Sequence, residues 1–455
     1  METNMEFELK GNVNYAASIV EIKNIIDLEG CDNIKHTIVM GNSVIISKDC
    51  KVGDVGVFFP IECKISEEFL ACNNLFDKPE MNRDKTKKGF FSHKGRVRCV
   101  KLRGFRSEGF FIPLNSLNYI VDVCDRNIES VEIGTVFDHI NGNKVCEKYI
   151  VPCKNSGTNK RSETKANKKF DRIIPEIFKF HIDTEQLGRN IHRINPEDIC
   201  TISRKIHGTS AILAYISVRR ELSFIEKLLK KIGVKINEIE YDYIRSSRKV
   251  IKNKYINKEV TGGYYGTDIW EVASEELKPF IKKDMTIYFE IAGYISEDKM
   301  IQKYYDYGCK PGEHKNFVYR ITTTNPDGNV VEWSMLQVSQ FCKANGLNAV
   351  PLLYYGTAKD LFFDLKSLAE TNDDRDKDEW RNKFLEALTN TYLEKMCPDC
   401  GDGTNTPDEG IVLRKETLGI DCWKHKSFLF RQHETKQKDA EEVDIEDEQS
   451  VEETV

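Results

Sequence analysis

Between residues 12 and 115 the apolar positions come in short runs, several alternating with polar residues: "NYAASIVEIKN", "HTIVMGNSVIIS", "VGDVGVFFP", "GRVRCVKL" and "GFFIPL". A period of two, broken by glycine and polar turns, predicts strands rather than helices. About five strands in roughly a hundred residues fit a small closed β-barrel of the OB type, an architecture that commonly binds oligonucleotides. Between the third and fourth runs lies "KPEMNRDKTKKGFFSHKGR", a basic loop whose Phe90 and Phe91 either stack on bases or cap the barrel. Over residues 153–171 the apolar period disappears in favour of Lys, Asn, Ser and Thr, which marks a linker. Beyond it strands and helices alternate irregularly. "TIYFEIAGY", "FVYRITTT" and "EGIVLRK" read as strands, and "RNKFLEALTNTYLEKM" reads as a helix. "ELSFIEKLLKKIGVKI" reads as an amphipathic helix with Leu222, Ile225, Leu228, Leu229 and Ile232 on one side and its lysines on a wet face. The expected class is α+β: an OB-type barrel over 1–152, a linker, a second domain over 172–435, and a disordered tail over 436–455.

The tail is placed by charge. "KDAEEVDIEDEQSVEETV" is strongly acidic and nearly free of aromatics, so it cannot bury enough apolar surface to fold. The whole chain carries a net charge of −6, which leaves the body near neutral to slightly basic. With 455 residues, 40% hydrophobic and 31% charged, two or three domains with their own cores are expected. No stretch has a signal-peptide pattern or the apolar length of a membrane span, so no membrane partner is expected. Nor does the sequence point to an obligate protein partner. Fourteen cysteines without framework spacing imply reduced thiols and a cytoplasmic or nuclear setting. Cys397 and Cys400 in "CPDCGDG" have metal-type spacing, with Cys422 downstream. A structural zinc needs four ligands, so a turn with two reduced thiols is the competing reading.

Chemistry enters with "TISRKIHGTSAILAY". Lys205 stands between a strand and the glycine turn at Gly208. A strand-end lysine is ordinarily a solvated surface group. In a pocket with nearby cations it becomes a nucleophile, because desolvation and like charge lower its pKa from about 10.4. Three further elements put polar groups where a core would not want them. "YFEIAG" buries Glu290 in an apolar strand, "DEGIVLR" starts a strand at Glu409, and "WKHKSFLF" sets Lys424 and Lys426 on one face.

In this order the four elements resemble the covalent nucleotidyltransferases: ATP-dependent DNA and RNA ligases and mRNA-capping enzymes. The resemblance spans about residues 170–435. It implies that Lys205 takes up AMP from ATP, and that Lys424 and Lys426 bind the α-phosphate. Glu290 and Glu409 would then hold the ribose or a hydrated Mg²⁺ or Mn²⁺. It further implies that Arg248, in "YIRSSRKVI", contacts the nucleotide or the RNA end. An aromatic under the adenine is implied from "NFVYRITTT", where Tyr319 is preferred to Phe317 because stacking needs a ring at a pocket wall. Arg320 is implied as an end-binding group. Gln186 in "FHIDTEQLGRN" is a candidate base contact, against a simple helix cap. His207 stands where these enzymes usually carry Asp; His also occurs there in RNA ligases that seal nicks held by a bridging strand. A buried turn histidine is the alternative.

DNA ligases and capping enzymes carry a barrel after the last lysine motif. Here only 29 residues follow Lys426, most of them the acidic tail. The barrel candidate is N-terminal instead, and "GRVRCVKLRGFRSEGFFIPL" resembles the N-terminal OB module of one branch of ATP-dependent RNA ligases. That resemblance implies sealing of a 3′-hydroxyl to a 5′-phosphate in RNA repair, through lysyl–AMP and an adenylylated RNA 5′-end. Arg96, Arg98, Lys101, Arg103 and Arg106 would bind the RNA, or else form a solvated barrel edge. Two alternatives stand: an mRNA guanylyltransferase using GTP, and a non-catalytic nucleic-acid end-binding protein that keeps the fold.

Overall fold

The computed structural model describes residues 6–120, 131–152, 172–248, 251, 268–370, 373–401 and 406–442. The expected linker at 153–171 and the tail from 443 onward lie outside the described residues.

The N-terminal domain is built on β1 (Ala17–Glu21), β2 (Ile34–Val39), β3 (Asn42–Ser47), β4 (Val55–Pro60), β5 (Val100–Leu102), β6 (Phe105–Ser107), β7 (Gly109–Pro113) and β8 (Val136–Phe137). A four-stranded sheet runs β7–β4–β1–β8, and β2 pairs with β3 in a second sheet. The second sheet meets β7 where the Glu108 N–H donates to the Ser43 carbonyl at 2.7 Å. Two runs read as single strands prove to be more broken. "HTIVMGNSVIIS" is the β2–β3 hairpin, turning at Met40 and Gly41 with φ of 47° and 74°. Positive φ at both positions is what a two-residue hairpin turn requires. Of "GRVRCVKL" only Val100–Leu102 forms a ladder strand, folding back onto β6 through Arg103 and Gly104, again at positive φ. The barrel core gathers Ile19, Val57, Phe59, Phe69, Phe91 and Phe137.

The second domain holds two sheets. A five-stranded one runs β9 (Glu185–Gln186), β18 (Ile420–Lys426), β17 (Gly410–Glu416), β10 (Ile199–Arg204), β16 (Leu352–Thr357). A seven-stranded one has β12 (Ile239–Ser247), β11 (Thr209–Arg219), β13 (Met285–Ser296), β14 (His314–Thr324) and β15 (Val330–Glu332) as its main path. Pairing is antiparallel along that path. The second sheet is covered on both faces, which explains why "TSAILAYISV" is apolar throughout rather than alternating. Ala211 and Leu213 face helices α2 (Ile269–Leu277) and α3 (Met335–Asn345), while Ile212, Ala214, Ile216 and Val218 pack on Ile177 and Phe178. Helix α4 (Asp374–Tyr392) covers the first sheet with Trp380, Phe384 and Leu388.

Two helices depart from the sequence reading. Helix α1 (Phe224–Lys231) is shorter than its amphipathic stretch and carries a Ser223–Glu226 capping box. Helix α5 (Phe428–Asp439) runs four residues into the segment read as tail.

Candidate active site

The site lies where the chain passes from one sheet to the other. Strand β10 ends at Arg204 and β11 begins at Thr209, so "KIHG" is the crossover. Its backbone is pinned at each step. Lys205 N–H donates to the Gly410 carbonyl at 2.9 Å, and His207 N–H donates to the Tyr307 hydroxyl at 2.7 Å. Gly208 N–H donates to Glu290 Oε1 at 3.2 Å, and the Gly208 carbonyl accepts from Gln302 Nε2 at 2.9 Å. Glycine is obligatory at 208 because a Cβ there would lie 2.2 Å from the Ile291 carbonyl oxygen. Ile206 anchors the crossover in a cluster with Tyr305, Tyr307 and Phe430.

One carboxylate joins the lysines. Glu409 Oε2 lies 2.9 Å from Lys205 Nζ, and its Oε1 lies 3.0 Å from Lys426 Nζ. Burial alone would raise the Glu409 carboxyl, but Lys205, Lys426 and His207 outweigh it and hold it at about 2. Burial opposes charge on Lys426 too, and Glu434 and Glu409 overcome it, pushing its pKa up. For Lys424, on the same face of β18, the opposing pull of Glu409 is outweighed. Burial and the cations Lys426, Lys205 and Arg248 pull it down to about 7. The cluster therefore holds one secured ammonium and one poised to titrate.

Glu290 Oε2 accepts from Ser210 Oγ at 3.1 Å, so both carboxylate oxygens stabilise the start of β11. Tyr319 sits at a bulge in the β13–β14 ladder, with its hydroxyl 2.9 Å from His181 Nδ1. Burial, then the nearby Glu290, push that hydroxyl's pKa up. Arg248 donates from Nε and Nη2 to Asp183 Oδ1 at 2.9 and 2.6 Å. His207 is buried edge-on against Tyr305 and Phe430, and burial lowers it to about 4. It is packed in the turn and also lines the cavity of the site, with Nδ1 3.7 Å from Glu409 Oε2.

A single cavity of about 180 Å³ collects Lys205, Gly208, Arg248, Glu290, Tyr319, Glu409, Lys424 and Lys426, all eight residues expected to bind nucleotide. Phe317 points instead into the core beside Ile206 and Tyr307. Arg320 is held by Glu332 and lies over the Tyr288 ring at 4.2 Å. Gln186 accepts from Arg431 Nη2 at 3.2 Å, at the junction with the barrel. Glu434 of α5 escaped the sequence reading. It faces Lys426 at 3.4 Å and is itself held at about 2, because Lys426 and Lys438 outweigh the effect of burial. The signal was an acidic residue eight positions past the last motif lysine.

The basic barrel segment divides. Arg96 does not face solvent: its side chain is 3% exposed, 3.1 Å from Glu62 and 3.3 Å from Asp439 of α5. The structure places Arg96, read as an RNA contact, between the barrel and α5, where it shares the buried Glu62 with Lys438. Arg98, Lys101, Arg103 and Arg106 are exposed. Arg98 lies 3.5 Å from Asp439, and Arg106 lies 3.3 Å from Glu394 and over the Phe428 ring. Phe91 joins the barrel core, whereas Phe90 is 63% exposed. The Cys397 and Cys400 sulfurs are 2.9 Å apart, while Cys422 lines the cavity around Lys205, Lys424 and Lys426. Among the described residues no group of three His, Cys, Asp or Glu side chains is arranged to hold a metal, and no helix is long and apolar enough to cross a membrane.

A profile described as an OB-fold domain matches residues 16–114. No curated protein matches the chain by sequence. Among solved structures, a variant of Naegleria gruberi RNA ligase with ATP and Mn is 16% identical and aligns over 93% of this chain and 99% of its own, with a TM-score of 0.55. Another variant of it with AMP and Mn covers 92% and 98% at 16% identity and TM-score 0.54. The same ligase with PPi covers 93% and 98% at 17% identity and TM-score 0.52. Barrel and two-sheet domain together thus reproduce, over more than nine-tenths of the chain, the fold of the Naegleria gruberi RNA ligase.

Proposed function

We propose that this protein is an ATP-dependent RNA ligase that seals 3′-hydroxyl and 5′-phosphate ends through lysyl–AMP on Lys205. The observation that carries the reading is Lys205 Nζ held 2.9 Å from Glu409 in a cavity that also gathers Glu290, Lys424 and Lys426. That cavity sits on a fold shared with a ligase whose structures hold ATP, AMP and Mn.

Lys205 would attack the α-phosphorus of ATP, forming an N–P bond as the P–O bond to pyrophosphate breaks. Its proton must leave first, and the positive field of Lys424 and Lys426 favours that loss. The same two lysines would stabilise the charge gathered on the α-phosphate. Glu290 fixes the crossover through Gly208 and Ser210, and Glu409 orients Lys205 before attack. The carboxylate oxygens of Glu290 and Glu409 suit a hard divalent cation, Mg²⁺ or Mn²⁺, that keeps its waters and arrives with the triphosphate. Such an ion supplies neutralisation of the phosphate charge. The Tyr319 ring would form a wall for the adenine. AMP then passes to an RNA 5′-phosphate, and a 3′-hydroxyl displaces it.

Mass spectrometry of the protein after exposure to ATP and Mn²⁺ tests the first step. An AMP adduct on Lys205, absent from Lys205→Ala, is expected. An adduct from GTP but not ATP would replace the proposal with a guanylyltransferase, and no adduct from either would leave an end-binding protein. Sealing of nicked RNA in preference to nicked DNA tests the substrate.

A further inference from the structure

A helix that belongs to a core buries one face, yet α1 buries none of its residues. Phe224 is 82% exposed, Ile225 68%, Leu228 54% and Ile232 71%. At about 100° per residue these four and Leu229 form one continuous apolar arc of roughly 140°. Lys227, Lys230 and Lys231 occupy the rest of the helix surface. The exposed Val234 and Ile239 extend the apolar surface into the connection that follows. Of the acidic residues beside it, Glu226 is neutralised by Arg220 at 2.7 Å and Glu238 by Lys230 at 2.6 Å, which leaves the exposed Glu221 against three lysines. Lys227, Lys231 and Lys235 therefore stand as positive charge flanking the arc.

We infer that α1 is a peripheral docking element for an anionic lipid surface, with its apolar arc in the acyl boundary and its lysines among the headgroups. A phosphodiester backbone has a use for the lysines but none for the exposed apolar side chains; an anionic bilayer surface uses both. That no helix among the described residues is long and apolar enough to cross a membrane bears on a different mode of association, since α1 would lie in the interface rather than across it. Its place in the fold leaves catalysis free. Strand β11 runs eleven residues from the crossover to this connection, which at about 3.3 Å per residue puts the strand end that leads into α1 roughly 36 Å from Gly208. A single short helix gives weak, reversible binding.

The test is flotation of the full-length chain with vesicles of phosphatidylcholine alone and with vesicles enriched in phosphatidylserine. Flotation only with the anionic vesicles, reduced by added salt, is expected. Ile225→Ser/Leu228→Ser/Ile232→Ser should lower the floated fraction by about tenfold, and Lys227→Glu/Lys231→Glu should abolish the preference for phosphatidylserine. Both variants should keep wild-type circular dichroism, because every altered side chain is solvent-facing. Failure of the wild-type chain to float, or flotation untouched by the triple serine variant, overturns the inference. So does a dimer that the triple variant dissociates, or RNA binding that it weakens, because the arc would then belong to a second copy or to nucleic acid. AMP attachment at Lys205 is read separately, so its loss or retention does not bear on this result.

Discussion

Replacing Glu409 by glutamine removes the charge that bridges Lys205 and Lys426 while keeping size and shape. The carboxyl is held at about 2 against an ordinary 4.5, with its side chain 2% exposed. A shift of roughly 2.5 units at about 1.4 kcal/mol each makes the ionised group worth about 3 kcal/mol. Breaking one member of a buried ionic cluster falls in the same range, about 3–5 kcal/mol. The sign follows from the depression: the stabilisation is complete above about pH 4.5 and is lost as pH falls towards 2. All four tryptophans, Trp270, Trp333, Trp380 and Trp423, lie in the second domain, so their fluorescence during urea unfolding reports that domain alone. Glu409→Gln should lower its unfolding free energy by about 3 kcal/mol near pH 7 and by about 2 kcal/mol near pH 3.5. A change under about 1 kcal/mol at neutral pH would refute the claim that Glu409 is the electrostatic keystone of the lysine cluster.

Gly208→Ala drives a Cβ to 2.2 Å from the Ile291 carbonyl, a contact with backbone that no rotamer relieves. Its AMP attachment should fall by at least two orders of magnitude, whereas Gly419→Ala, with open space around it, should be neutral; equal activities would sink the close-approach argument. Lys424, at about 7, is charged below that pH and neutral above it. The ratio of wild-type to Lys424→Gln affinity for ATP should therefore fall severalfold from about pH 6 to about pH 8, and a flat ratio would contradict its titration. Arg98→Ala and Arg103→Ala should each weaken binding of nicked duplex RNA and reduce the salt slope by about one. Arg96→Ala should leave that slope alone and instead destabilise the chain by about 2 kcal/mol in urea, since buried Glu62 keeps Lys438 but loses its bond from Arg96.

The site was more legible than the barrel surface, for a physical reason. Lys205, Glu290, Glu409, Lys424 and Lys426 each break a local rule by placing charge in or beside an apolar strand, and the strand period fixes which face each takes. By that alternation Tyr319 and Phe317 share a face; the bulge at Tyr319, invisible in the sequence, is what turns it to the cavity while Phe317 enters the core. Arg96 broke no local rule. Its fate depends on Glu62 and on Asp439, which lies 343 residues away in sequence, and periodicity carries no information at that range. For α1 the apolar period showed Ile225, Leu228, Leu229 and Ile232 on one side but not their exposure, because a hydrophobic arc looks the same whether or not the fold covers it.

Helix α5 gives the barrel a second role that the sequence concealed. It starts at Ser427, whose N–H donates to the Glu409 carbonyl at 3.0 Å and whose hydroxyl donates to the Asp408 carbonyl at 2.8 Å. One turn in, Arg431 pairs with Glu108 of the barrel at 3.1 Å, and further along Lys438 pairs with Glu62 at 3.1 Å. Between them Glu434 faces Lys426. The same helix thus holds the barrel and positions a lysine of the site, and these groups are mostly buried. Removing the barrel would do more than delete the proposed RNA-binding surface: it would take Glu108 from Arg431 and Glu62 from Lys438, and loosen the helix that carries Glu434. A chain lacking residues 1–152 should therefore lose part of its AMP attachment as well as its sealing, while Arg98→Ala/Arg103→Ala should lose sealing alone. Full AMP attachment by the truncated chain would show that α5 keeps Glu434 in place without the barrel.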